Sequence, residues 1–100
     1  MFVVTLKFAG NKAAAPHLME GHNAWIRKGF EDGVFLLTGS LQSAAGNAGL
    51  GGAVLAHGIS RTEIEARVAA DPFVAEQVVS AEILEIAPGR LDERLAFLKG

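Results

Sequence analysis

Along Phe2 to Phe8, Phe2, Val4, Leu6 and Phe8 take one parity, and Val3, Thr5 and Lys7 take the other. A period of two, filled with β-branched and aromatic residues, predicts a strand with one wholly apolar face. After a connecting loop over Ala9 to Ala15 the period becomes helical. Pro16 suits the first turn of a helix, where its missing N–H costs nothing. Leu18, His22 and Trp25 then share one stripe, with Ile26 four residues beyond His22. Arg27, Lys28, Glu31 and Asp32 supply the polar end, and Gly33 is placed to stop the helix. Val34 to Thr38, apolar almost throughout, predicts a second strand.

Gly39 to Gly52, rich in Gly, Ala, Ser and Asn, predicts a hairpin loop between strands. Glycines 46, 49, 51 and 52 invite a phosphate-cradle reading. Their spacing matches no dinucleotide or P-loop pattern, and a strand follows where that reading needs a helix. Ala53 to His57 predicts a short third strand. Ser60-Arg61-Thr62-Glu63 has the spacing of a capping box, which starts a helix running to about Ala70. Ile64, Val68 and Asp71 share its apolar face. Asp71 is the residue on that stripe that fold alone does not demand, and Pro72 cannot continue the helix. A helical turn around Val74 to Val78 and a fourth strand from Ala81 to Ala87 follow, closed by Pro88-Gly89. Leu91, Leu95 and Leu98 recur at helical spacing, an amphipathic tail over residues 90–100.

The order is β-α-β-β-α-β plus a tail, an α+β arrangement of the split-βαβ, ferredoxin-like kind with an antiparallel sheet. Such a fold lays both helices on one face. The other face cannot be purely polar here, because the second strand is apolar on both sides. An uncovered apolar sheet is unusual on a monomer, and a second copy packed sheet to sheet is the simplest cover. A homodimer is therefore expected.

Composition narrows the field. One hundred residues make one domain over 1–100, and a fifth charged with half hydrophobic is the balance of a folded globular chain. A net charge of −2 gives no electrostatic footprint for nucleic acid or an anionic membrane surface. There is no cysteine, which removes thiolate metal sites and cysteine nucleophiles and makes a reducing cytoplasm the expected location. The only early lysine follows the first apolar run, the reverse of a secretory signal, and no apolar run approaches the ~20 residues that span a bilayer. His17 and His57 lack carboxylates at metal-ligand spacing, so no metal is expected, and no motif calls for a cofactor.

Several of these stretches together carry a resemblance. Met1-Phe2-Val3-Val4, the His22–Trp25 pair, Gly33-Val34-Phe35-Leu36 leading to Gly39, Gly51-Gly52, Asp71-Pro72-Phe73 and Ala87-Pro88 make the chain similar to the YciI-like (YCII-related) proteins. The resemblance implies a dimeric α/β barrel and a cleft in which a His and an Asp meet, here His22 and Asp71. It also implies acid–base chemistry on an unknown small molecule, with Trp25, Ser40 and Phe73 as substrate contacts. The chain departs from the family in having Thr38-Gly39-Ser40 where Ser-Gly-Pro is common, and in a long loop over 41–50.

Two readings of the pair stay open on sequence. His22 lies among apolar residues, as a core histidine bonded to backbone also would. Asp71 can simply cap the turn that begins at Pro72, or it can accept the N–H of His22 and set the imidazole tautomer. The corresponding functions are a small-molecule enzyme of isomerase- or lyase-like proton-transfer chemistry, and a non-catalytic dimeric ligand-binding or accessory module. An imidazole at a cavity wall separates the first from the second.

Overall fold

The computed structural model describes residues 1–46 and 50–99. Strand β1 (Phe2–Phe8) leads through a 3₁₀ turn at Lys12–Ala14 into helix α1 (Ala15–Glu31). Strands β2 (Phe35–Ser40) and β3 (Gly52–Ala56) follow, then α2 (Arg61–Ala69), the one-turn α3 (Pro72–Ala75) and β4 (Val79–Glu85). The sheet order is β2-β3-β1-β4 with every pair antiparallel. This is the split-βαβ order expected from the periodicities.

The alternation in β1 decides which side of the sheet is the core. Phe2, Val4 and Leu6 are buried against Val54 and Ala56 of β3, and against Ile64 and Val68 of α2. Leu18 and Trp25 of α1 pack on the same cluster, so both long helices cover one face. Local chemistry fixes the helix ends. The Glu63 amide donates to Ser60 Oγ at 3.1 Å, and the Ser60 amide to Glu63 Oε1 at 3.4 Å, completing the capping box. At the end of α1, Gly33 adopts φ +73°, its amide donates to Phe30 and the Val34 amide to Gly29, which closes a Schellman motif.

The differences from expectation lie at element edges. β2 begins at Phe35 and extends to Ser40, because Val34 belongs to the helix cap and a bulge between Phe35 and Leu37 re-phases the strand. β3 ends at Ala56 and β4 starts two residues early, at Val79, pairing with Phe8. The turn after Asp71 forms over Pro72–Ala75 because the Asp71 cap starts it there. The C-terminal tail forms a 3₁₀ segment over Glu93–Lys99 rather than an amphipathic α-helix, with the Phe97 ring set edge-on to His57 at 5.3 Å. Of the glycine-rich loop, Gly49 lies outside the described residues. The base of the loop is closed by the Leu41 amide donating to Gly51.

The opposite face of the sheet is apolar in one row. Leu37 pairs with Leu55, Leu55 with Val3 and Val3 with Leu84, so the four side chains cross the sheet side by side. Leu37 and Leu84 are about half exposed, at 54% and 49%. No helix among the described residues is long and apolar enough to cross a membrane.

Beneath α1, the Phe35 ring lies where a side chain at Gly29 would stand, a Cβ there falling 2.0 Å from Cδ2. Gly29→Ala is therefore expected to destabilise the fold by about 1–3 kcal/mol through overpacking. A lowered urea midpoint at unchanged m-value checks it; an unchanged midpoint would show that Phe35 can step aside.

Candidate active site

Asp71 stands in the short join between α2 and α3, fully buried at the end of the Ile64–Val68 stripe. Its Oδ1 accepts two hydrogen bonds. One comes from the Phe73 amide at 3.0 Å, the N-cap bond that starts α3. The other is with Nδ1 of His22, at 2.8 Å, from the middle of α1. The two sequence readings of Asp71 are therefore both realised on one oxygen. An ionised carboxylate offers only acceptors, so Nδ1 is the donor to it, and in the neutral imidazole that leaves Nε2 as the lone-pair nitrogen. Oδ2 is buried with no hydrogen-bond partner among the described residues.

The approach of the two segments is set by their neighbours in sequence. Gly21 lies against Pro72, and a Cβ at position 21 would come within 3.1 Å of Pro72 Cγ. A bare backbone there lets α1 settle onto α3, which puts His22 beside Asp71. The Phe73 ring then stacks on the imidazole, nearly parallel at 4° with centroids 4.0 Å apart. His22 is held at Nδ1 by charge and on one face by an aromatic plane.

His22 retains 13% of its side-chain exposure, and that exposure opens into a cleft. The cleft has a volume of about 450 Å³, within the range of small-molecule sites. Leu6, Phe8, Ile26 and Val79 form much of its apolar wall, Thr38, Ser40 and Gln42 its polar side, and Phe73 its floor beside His22. Of the residues singled out from sequence, His22, Asp71 and Phe73 come together, and Ser40 lines the same cleft.

Trp25 is placed differently. It is absent from the described cleft wall, and its indole N–H donates to the Arg67 carbonyl at 2.8 Å while its ring meets Phe35 edge-on. Three residues past His22 on α1, it fastens that helix to α2. The fastening is reinforced on the surface, where Arg67 and Lys28 both pair with Asp32, at 3.0 and 2.9 Å. Hydrogen bonds from Lys28 and Arg67 hold the Asp32 carboxyl below the usual carboxylate range. Thr38, Gln42 and Phe8 were not picked out as cleft residues. Alternation in β1 could have flagged Phe8, which follows the buried parity to the strand end, whereas the bulge between Phe35 and Leu37 takes Thr38 off the parity of buried Phe35. Among the described residues no group of three or more His, Asp or Glu gathers that could hold a metal ion.

The chain is a two-layer α+β domain with a carboxylate-held imidazole at the wall of a cleft. The sequence model of the YCII-related domain matches residues 1–87, and the chain belongs to that family. Its structure is similar to that of 5-chloro-2-hydroxyhydroquinone dehydrochlorinase from Burkholderia phenoliruptrix AC1100, solved in complex with 2,5-dihydroxybenzoquinone. The TM-score is 0.66 at 14% identity, over 89% of this chain and 96% of that one, which establishes likeness of fold. No curated protein matches the sequence.

Because Asp71 holds two donors at once, its replacements should separate cap from pair. Asp71→Ala leaves the Phe73 amide and the imidazole N–H without partners and is expected to cost about 1–3 kcal/mol. Asp71→Asn keeps an acceptor for both and should cost clearly less. Urea unfolding of the two variants measures the difference; equal losses would mean that neither bond carries stability.

Proposed function

We propose that the protein is a small-molecule enzyme in which His22 moves a proton as general base or acid and Asp71 orients it. The observation carrying this reading is the imidazole tied at Nδ1 to a buried carboxylate while its ring stands at the wall of a cleft of about 450 Å³. A purely structural pair has no need of a cavity beside it. The 2.8 Å bond fixes the tautomer, so that Nε2 is the nitrogen offered to a substrate proton. When Nε2 takes that proton the ring becomes cationic, and the adjacent carboxylate balances the charge without itself accepting the proton.

The dehydrochlorinase of similar fold supports a reaction class as well as a cleft. Loss of hydrogen chloride removes a proton and a chloride from the substrate, and the proton needs a base. In this chain His22 is the base within reach of the cleft. Isomerisation differs only in returning the proton elsewhere on the substrate, so both belong to the same proposal. Ser40 and Phe73 are the substrate contacts in it, and Trp25 acts behind the site, by fixing α1.

The same proposal includes a homodimer formed through the helix-free face, two sheets facing one another as a dimeric α/β barrel. Support comes from the Leu37–Leu55–Val3–Leu84 row, which is apolar, contiguous and partly open to solvent in one copy. Leu37→Lys places a charge at the β2 end of that row. It should convert a dimer mass to a monomer mass in light scattering at micromolar protein; a monomer already in the unsubstituted protein removes the dimer.

For the chemistry, the measurement is deuterium exchange or turnover of halogenated and hydroxylated ring compounds, beginning with 5-chloro-2-hydroxyhydroquinone. His22→Ala is expected to lower kcat by about 10²–10⁴-fold while the circular dichroism spectrum stays that of the parent. Full activity in a folded His22→Ala protein would leave the accessory-module reading in its place.

A further inference from the structure

The wall of the cleft facing His22 comes from β2, β3 and the loop between them. From Gly33 to Ser60 the chain contains no Lys, Arg, Asp or Glu. The rest of the described wall comes from β1, α1, α3 and β4, and it adds Leu6, Phe8, Ile26, Phe73 and Val79 with His22. His22 is thus the single ionisable side chain of the described lining, and its Nδ1 is already engaged by Asp71. The Lys12 ammonium lies 4.9 Å from the Phe8 ring centre, and Lys12 itself is outside the described lining.

Polarity in this wall is instead carried by hydroxyls. Thr38 and Ser40 are two apart on β2, paired with Val54 and Gly52, and both face the helix side. Alternate residues of a strand are roughly 7 Å apart, comparable with the span of a six-membered ring and its substituents. Phe73 and Ile26 come from the helical layer over the sheet, and Leu6, Phe8 and Val79 continue the wall along the sheet itself. A carboxylate or phosphate entering here would shed water with no lysine or arginine to meet it, and any charge gained by His22 is already balanced by Asp71, so its burial is costly. A hydroxyl or carbonyl would find a partner on β2 and an apolar surface for the ring.

We infer that the cleft selects an uncharged, ring-sized molecule bearing hydroxyl or carbonyl oxygens, read by Thr38 and Ser40, and rejects carboxylated or phosphorylated counterparts. The inference rests on the acid–base reading, since it names the class of molecule presented to His22. Its test is a matched pair of ligands titrated into the full chain by calorimetry under argon. Hydroquinone is the neutral member, and gentisate is the same ring carrying a carboxylate. Hydroquinone should bind at least about tenfold more tightly than gentisate. Thr38→Val, which keeps the shape and removes the hydroxyl, should weaken hydroquinone about five- to tenfold and narrow the gap. Equal or tighter binding of gentisate overturns the inference, as does a failure of hydroquinone to saturate by about 10 mM. A gentisate preference that Lys12→Gln reverses would assign the selection to that ammonium, and also overturns it. His22→Asn keeps the two claims apart. The preference for the neutral ring should survive that substitution, whereas proton exchange should not. Preference without exchange in the parent protein sinks the acid–base reading alone, and exchange with a gentisate preference sinks this one alone.

Discussion

One carboxylate oxygen joins three segments of the molecule. Oδ1 of Asp71 starts α3 through the Phe73 amide and holds α1 through His22. Asp71 itself ends the stripe by which α2 grips the sheet. The same bonds bring the Phe73 ring flat against the imidazole. Position, tautomer and face of the candidate catalytic ring therefore follow from satisfying one buried acceptor. A hydrogen bond to a charged group contributes about 1.5–3 kcal/mol, a sizeable share of the ~5–15 kcal/mol that stabilises a domain.

Much of this was legible in the chain. The period-two run of β1 and the Ser60–Glu63 box are local signals, and local physics decides them. Asp71 stood out because a carboxylate ended an apolar stripe just ahead of a proline. What was less legible depends on contacts distant in sequence. The bulge in β2 arises from fitting Phe35 under Gly29 while Leu37 pairs with Leu55. Trp25 shares the stripe of His22, and nothing in its spacing says that its N–H reaches Arg67, forty-two residues on. The tail has helical spacing, but it docks by one ring contact and a short 3₁₀ segment, since little of its surface is covered. Periodicity reports which face is apolar, and it is silent on how much of that face finds a partner.

The two sides of the sheet divide the labour. On the helix side the core is filled near α2, while toward the ends of β1 and β2 it opens into the cleft. Gly39, Gly51, Gly52 and Ala53 lie along that opening, and Gly51 packs its backbone so closely on β1 that a Cβ there would fall 1.8 Å from the Leu6 carbonyl oxygen. The other side keeps an apolar row that is partly open to solvent. Covering that row would stiffen β1 and β3 from behind, and those strands carry Leu6, Ala53 and Val54 of the cleft wall. A dimer of the proposed kind would thus be linked to the site through the thickness of one sheet.

The unpartnered Oδ2 of Asp71 is the one place where the described fold leaves a buried polar side-chain atom unsatisfied. Burying such an acceptor costs about 1–3 kcal/mol, and an asparagine or a threonine could cap α3 with less buried charge. A cap alone does not account for an aspartate here. The account closes once His22 is included. A carboxylate whose second oxygen is unquenched keeps more of its negative charge for the first, which faces the imidazole. In the proposed reaction that charge would act strongly, in a low-dielectric surround, on a ring gaining a proton, and would be in place before the proton moves. On that reading the stability forgone at Oδ2 and the carboxylate set against the imidazole are two consequences of one buried side chain.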